Sequence, residues 1–299
     1  MTYSIVARDP GTGELGVAAQ SHWFAAGTLC WAEAGVGAVA TQAWALMSYG
    51  PLGLERLRAG VNPADALSGL VAADEGAEHR QVAIVDRSGA VAVHTGGRCI
   101  PEAGHRAGEG VSCQANMVAR PTVWDAMHEA YLRAGGDLVD RLLAALEAAE
   151  REGGDLRGRQ AARILVVRGE RSDGPWTDVL VDLRVDDHPA PLVELRRLLE
   201  LKRVYDRLEA AEELELAGRG DAALRERLAA LDAAPENPEV AFWTAISLAA
   251  AGRLDEARGA IRVAFRAGEG WRELLRRMVR EGHLELAAEA VDALLRTPD

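Results

Sequence analysis

The texture of the chain changes at His188-Pro189-Ala190-Pro191, and this break constrains the fold more than any other feature. Before it, short β-rich runs alternate with helical ones. After it, from Leu192 to Asp299, Ala, Leu, Glu and Arg recur at helical spacing and no strand is legible. Two domains are expected, an α+β domain over 1–200 and an all-helical domain over 201–299.

Within the first domain, Tyr3 to Arg8 and Leu15 to Ala19 flank Asp9-Pro10-Gly11-Thr12-Gly13, which reads as a β-hairpin because Pro and Gly supply the backbone angles of a reversal. Further strands are predicted over Gly35–Gln42, Gln81–Asp86, Ala90–His94, Ile164–Arg168 and Asp178–Leu183. Asn62-Pro63 caps a helix over Ala64–Ala73, and helices over Thr122–Ala134 and Leu138–Glu152 stop at Gly-Gly pairs. Hairpin-length connections argue for stacked layers instead of a parallel β-α-β wheel.

In the second domain, Ala217-Gly218-Arg219-Gly220-Asp221 recurs 34 residues later as Ala251-Gly252-Arg253-Leu254-Asp255, with a weaker echo at Glu281-Gly282-His283-Leu284-Glu285. Thirty-four is the tetratricopeptide period. Residues from about 205 to 297 therefore resemble tetratricopeptide-like helical repeats.

Composition excludes several classes. With 46 acidic against 34 basic residues the net charge is −12, so nucleic acid and anionic membranes are not expected partners. No apolar run reaches membrane-spanning length, no secretory signal is legible, and Cys30, Cys99 and Cys113 form no metal or redox pair; a cytoplasmic location is expected. Phosphate-loop and dinucleotide fingerprints are missing, so no cofactor is expected, and the Asp186-Asp187-His188 cluster reads as a turn, not a metal site. Lys202 is the only lysine, which leaves few candidates for a catalytic amine.

Thr2 supplies one. Removal of the initiator methionine, expected before a small residue, gives Thr2 a free α-amine beside its own hydroxyl. An α-amine has a pKa of about 7.7–8.0 and can take the hydroxyl proton near neutral pH. The segments TYSIVARDPGTGELGVAAQSHWF, AEAGVGAVATQA, YGPLGLERLRAG, VHTGGRCIPEAGH, QANMV, GGDLRGRQAA and DLRVDDHP, in this order from residue 2 to about 200, resemble the N-terminal nucleophile (Ntn) hydrolase-like family called domain of unknown function 1028. The resemblance implies a four-layer αββα sandwich with the active site at one end. It departs from proteasome-like Ntn hydrolases, because Gln20-Ser21 stands where those have Asp-Ser, and the stretch Glu33–Gln42 carries no lysine.

The candidate catalytic residues are Thr2 as nucleophile and base, Ser21 and His22 at the end of the second strand, and Asn116 as a side-chain donor to an oxyanion. Ser4, on the same strand face as Thr2, is a fallback nucleophile. His94 and His105, read as lying on glycine-bearing loops, and Asp155, Arg157 and Arg159 are candidate substrate-binding groups, the arginines as carboxylate clamps. Two functions are compatible with these residues. One is an amidohydrolase acting on a small amide or lactam. The other is a non-catalytic interaction protein whose helical repeats bind a protein or peptide partner. Sandwiches of this sort pack against copies of themselves, so a homo-oligomer is expected.

Overall fold

Asp9 builds the first reversal: its Oδ1 accepts the backbone N–H groups of Gly11 (2.7 Å) and Thr12 (2.8 Å). The strands it joins, β1 (Thr2–Arg8) and β2 (Leu15–Ser21), pair antiparallel. In the computed structural model, which describes residues 2–284 and 286–298, the chain divides into two units, Met1–Leu198 and Leu199–Asp299. Met1, whose removal the sequence predicts, and Glu285, the last residue of the weaker echo, lie outside the described residues.

The first unit holds two antiparallel sheets. One has the order β10-β9-β2-β1-β8-β7, where β7 is Gly104–Gly108, β8 Val111–Asn116, β9 Ala161–Val167 and β10 Val179–Val185. The other runs β3-β4-β5-β6, with β3 Cys30–Glu33, β4 Gly37–Ala43, β5 Arg80–Asp86 and β6 Val91–Thr95. Alternation decides what faces what. Val6, Leu15, Val17 and Ala19 of the first sheet pack on Ala38, Ala40, Ala83 and Val85 of the second. Val39, Val82 and Ile84 turn the other way, onto Leu54 and Leu57 of α1 (Tyr49–Arg58) and Leu67 and Leu70 of α2 (Pro63–Ala72). Helices α3 (Val123–Arg133) and α4 (Leu138–Arg151) cover the outer face of the six-stranded sheet. Gly16 of β2 makes room for α4, since a Cβ there would stand 2.7 Å from Leu142 Cδ1. The layers are helix pair, sheet, sheet, helix pair.

Several elements differ from the sequence reading. Strands β3, β7 and β8 and helix α1 were not legible. Gly50, Pro51 and Gly53 weaken the helical signal of α1, yet Pro51 falls in its first turn, where a missing N–H costs nothing. The segment of β7, Gly-His-Arg-Ala-Gly, has low strand propensity and is ordered by pairing with β8. His94 and His105 consequently lie on strands β6 and β7, not on loops.

In the second unit, α6 (Gly220–Ala233), α7 (Pro238–Ala250), α8 (Leu254–Ala267), α9 (Gly270–Arg280) and α10 (Ala288–Leu295) follow α5 (Pro191–Leu216), which begins in the first unit. Gly218, Gly252 and Gly282 sit at φ +71°, +74° and +73°. After each, the next N–H reaches back to a helix carbonyl: Arg219 to Leu214, Arg253 to Leu248 and His283 to Met278, all at 2.8 Å. One helix-stopping turn is thus used three times, and only glycine enters it without strain. The third comes 30 residues after the second, so the 34-residue spacing is not kept. Phe242, Ile261, Phe265, Leu275 and Leu294 form the core of this unit. No helix among the described residues is long and apolar enough to cross a membrane.

Candidate active site

At one end of the sandwich the inter-sheet layer stops being apolar. Positions that alternation points inward carry Thr2 and Ser4 on β1, Ser21 on β2, Gln42 on β4, Gln81 on β5, and Ser112, Gln114 and Asn116 on β8, all buried. A neutral amide can be buried at little cost if every donor and acceptor is matched. Here they are. The Gln81 Oε1 accepts from Gln42 Nε2 (2.6 Å) and Asn116 Nδ2 (3.1 Å). Its Nε2 donates to the carbonyls of Ala115 (2.9 Å) and Gly104 (3.0 Å) and to Thr95 Oγ1 (3.0 Å). Gln81 belongs to the four-stranded sheet and those carbonyls to the six-stranded one, so this residue ties the two sheets together.

The network closes on Thr2, which is 4 % exposed. Its carbonyl accepts from Gln42 Nε2 and Asn116 Nδ2, both at 3.3 Å, and its Oγ1 donates to Ser21 Oγ at 3.0 Å. Ser4 donates to Gln42 Oε1 (2.7 Å) and accepts from Gln114 Nε2 (2.6 Å), which places it deeper in the same network. Both amide hydrogens of Asn116 are spent, one on Thr2 and one on Gln81. In this arrangement Asn116 holds the backbone of Thr2 in place at the edge of the network.

The remaining candidates separate. His105 Nδ1 is 2.9 Å from Thr95 Oγ1, and desolvation, with the charge of His94 adding to it, lowers its pKa. Thr95 Oγ1, which also accepts from Gln81 Nε2, thus links His105 to the amide network. His94 faces the other way: it pairs with Val82, on the helix-covered face, and its Nε2 lies 2.9 Å from the Ala77 carbonyl. It is not part of the site. His22 is held outward, with Nδ1 3.3 Å from the Arg159 carbonyl and its backbone N–H donating to Asp155 Oδ2 at 2.9 Å.

Asp155 is turned into the protein. Its side chain is 0 % exposed, and it accepts from the backbone of His22 and of Arg157 (2.8 Å) while facing the Arg157 guanidinium. Arg159 is engaged by Glu150, whose other carboxylate oxygen takes the Tyr3 hydroxyl at 2.5 Å. Burial and Glu150 push the Tyr3 phenol well above its ordinary pKa. Of the three, Arg157 lines a cleft that also holds Asn116.

That cleft, about 190 Å³, opens beside Asn116 and is walled by Trp23, Trp44 and Ile100. Two further lining residues, Ala43 and Met117, hold left-handed backbone at φ +69° and +55°. The other non-glycine residues with such angles among those described, Ala25 and Glu102, follow β2 and precede β7, at the same end of the sandwich. Backbone strain of this kind collects at ligand sites. Among the described residues no group of three or more His, Cys, Asp or Glu side chains is placed to hold a metal ion. The glutamines and the two tryptophans escaped the sequence reading. The available signal was an amide at an inward position of three strands: Ala38-x-Ala40-x-Gln42, Gln81-x-Ala83-x-Val85 and Ser112-x-Gln114-x-Asn116.

Residues 2–195 match a family of unknown function, DUF1028. The chain belongs to that family. A crystal structure of one DUF1028 protein, SPO2555 from Silicibacter pomeroyi, is similar to this chain at 32 % identity and a TM-score of 0.60, covering 67 % of this chain and 88 % of that one. No curated protein matches it. Among the described residues of this DUF1028 chain, the matched segment contains every strand and the whole amide network, whereas helices α6 to α10 lie beyond it.

Proposed function

We propose that the DUF1028 unit is an Ntn-hydrolase sandwich that hydrolyses a small amide or lactam through Thr2. The observation that carries this reading is the Thr2 Oγ1 to Ser21 Oγ hydrogen bond of 3.0 Å, at the head of a central strand where Thr2 pairs in register with the cleft residue Asn116. The four layers agree with it. Once residue 1 is removed, the α-amine of Thr2 takes the proton of its own hydroxyl and Oγ1 attacks the amide carbon. The C–N bond then breaks, the amine leaves with that proton, and water hydrolyses the acyl ester on Thr2. Ser21 orients the hydroxyl, and Gln42 and Asn116 fix the Thr2 carbonyl. No lysine is required, because an α-amine already titrates near neutrality.

A second reading concerns the helical unit, and the thrice-repeated glycine turn favours it: tetratricopeptide-like hairpins that bind a protein or peptide partner. The same proposal places the protein in the cytoplasm as a homo-oligomer, consistent with three free cysteines.

The test is intact-mass analysis of protein made with its native N-terminus, combined with turnover of an amide panel. The expected mass is one methionine short, with activity lost in Thr2→Ala and kept in Thr2→Ser. A retained methionine, or unchanged turnover in Thr2→Ala, removes the hydrolase and leaves the interaction reading.

A further inference from the structure

We infer that the cleft beside Asn116 selects a neutral, planar amide over one that carries a carboxylate. The inference rests on the reading of Thr2 as nucleophile and extends it to substrate class.

An arginine in a cleft ordinarily marks a carboxylate site. Among the described residues Arg157 is the one ionisable side chain lining this cleft, and its cation is already matched: Nε and Nη2 lie 3.4 and 3.3 Å from the two oxygens of Asp155. The Asp155 side chain has no solvent access, while that of Arg157 is 33 % exposed. Drawing Arg157 onto a substrate carboxylate strands a buried carboxylate, the arrangement that breaking a buried ion pair makes costly. The pair therefore offers N–H groups to an incoming molecule and no net charge. The −12 charge of the whole protein opposes an anion further.

Shape points the same way. Trp23 and Trp44, which wall the cleft, are 65 % and 64 % exposed, a large apolar area to leave in water unless something covers it. Trp44 is held in position by stacking on His79, with centroids 5.0 Å apart and planes at 23°. Flat walls select a flat ligand. A volume of about 190 Å³ is below the ~300–1,000 Å³ of pockets for drug-sized molecules, so the ligand is small. Indole walls with the N–H groups of a guanidinium already matched in charge suit an uncharged aryl amide.

Calorimetric titration of the full-length Thr2→Ala protein tests this without turnover, using acetanilide and its carboxylate-bearing counterpart 4-acetamidobenzoate. Acetanilide is expected to bind saturably and the carboxylate at least tenfold more weakly. Trp44→Ala should weaken acetanilide at least tenfold, whereas Trp176→Ala, which alters a tryptophan outside the cleft, leaves it unchanged. Asp155→Asn keeps an acceptor for the His22 N–H but releases the charge of Arg157, so the preference should shift toward the carboxylate. Equal or tighter binding of 4-acetamidobenzoate, no binding of either compound, or indifference to Trp44→Ala overturns the inference. If acetanilide binds as expected and wild-type protein with a free Thr2 leaves it intact, the hydrolase reading falls and the selectivity of the cleft stands.

Discussion

The Thr2 hydroxyl donates to the Ser21 hydroxyl over 3.0 Å, across the antiparallel pair formed by β1 and β2. Ser21→Ala removes that acceptor from a buried pair. Turnover by the Thr2 route should fall about tenfold, the equivalent of about 1.4 kcal/mol in the barrier. Stability should fall by about 1 kcal/mol, as for one intramolecular hydrogen bond. Steady-state kinetics and urea denaturation of the same preparation separate the two effects.

Gln81 is the residue on which most of the buried network converges. Gln81→Leu leaves the amides of Gln42 and Asn116 each short of an acceptor and frees two carbonyls of the opposite sheet. The expected loss is about 3 kcal/mol, since each buried polar group left unpaired costs about 1–3 kcal/mol. Chemical denaturation should show a lower midpoint with an unchanged slope. An unchanged midpoint means that the two sheets do not depend on this residue.

Acid stability should depend on His128. It is buried against β7, with Nε2 2.5 Å from where a Cβ on Gly108 would lie, and neither ring nitrogen has a hydrogen-bond partner. Burial, with Arg106 adding to it, holds its pKa below the ordinary 6.5. Folded and unfolded chains are then both neutral at this site above pH 6.5. Below it the unfolded chain takes the proton first, so stability falls with pH until the folded pKa is passed. His128→Phe should flatten the difference between urea midpoints at pH 7.5 and pH 5.5; an identical difference in both proteins rejects the assignment.

Two glycines separate backbone cost from packing cost. Gly252, at φ +74°, has open space where a Cβ would go, so Gly252→Ala should cost only the left-handed backbone penalty, about 1–2 kcal/mol. In Gly37→Ala the new carbon meets Leu57 Cδ1 and the Val85 carbonyl oxygen, both at 2.5 Å, and overpacking there should cost about 3 kcal/mol. Thermal unfolding of the two variants should rank them in that order.

The sequence by itself determined the local features. Asp9 and its glycine-rich turn set the first hairpin, Asn62-Pro63 caps α2 through Asp65 N–H at 3.0 Å, and glycine at 218, 252 and 282 stops three helices. Each is decided by a few neighbouring residues, which is why it can be read off the chain. Thr2 and Ser21 also came together from hairpin register alone. Tertiary structure decided the rest. Whether Gln42, Gln81 and Gln114 are surface amides or a buried network depends on which strands face each other across the sheets, and sequence carries no record of that pairing. The same holds for His94, which β6 of one sheet turns toward the helices, and His105, which β7 of the other sheet brings to Thr95. It holds again for Arg157, whose charge looked available until the fold set Asp155 beneath it, out of reach of water.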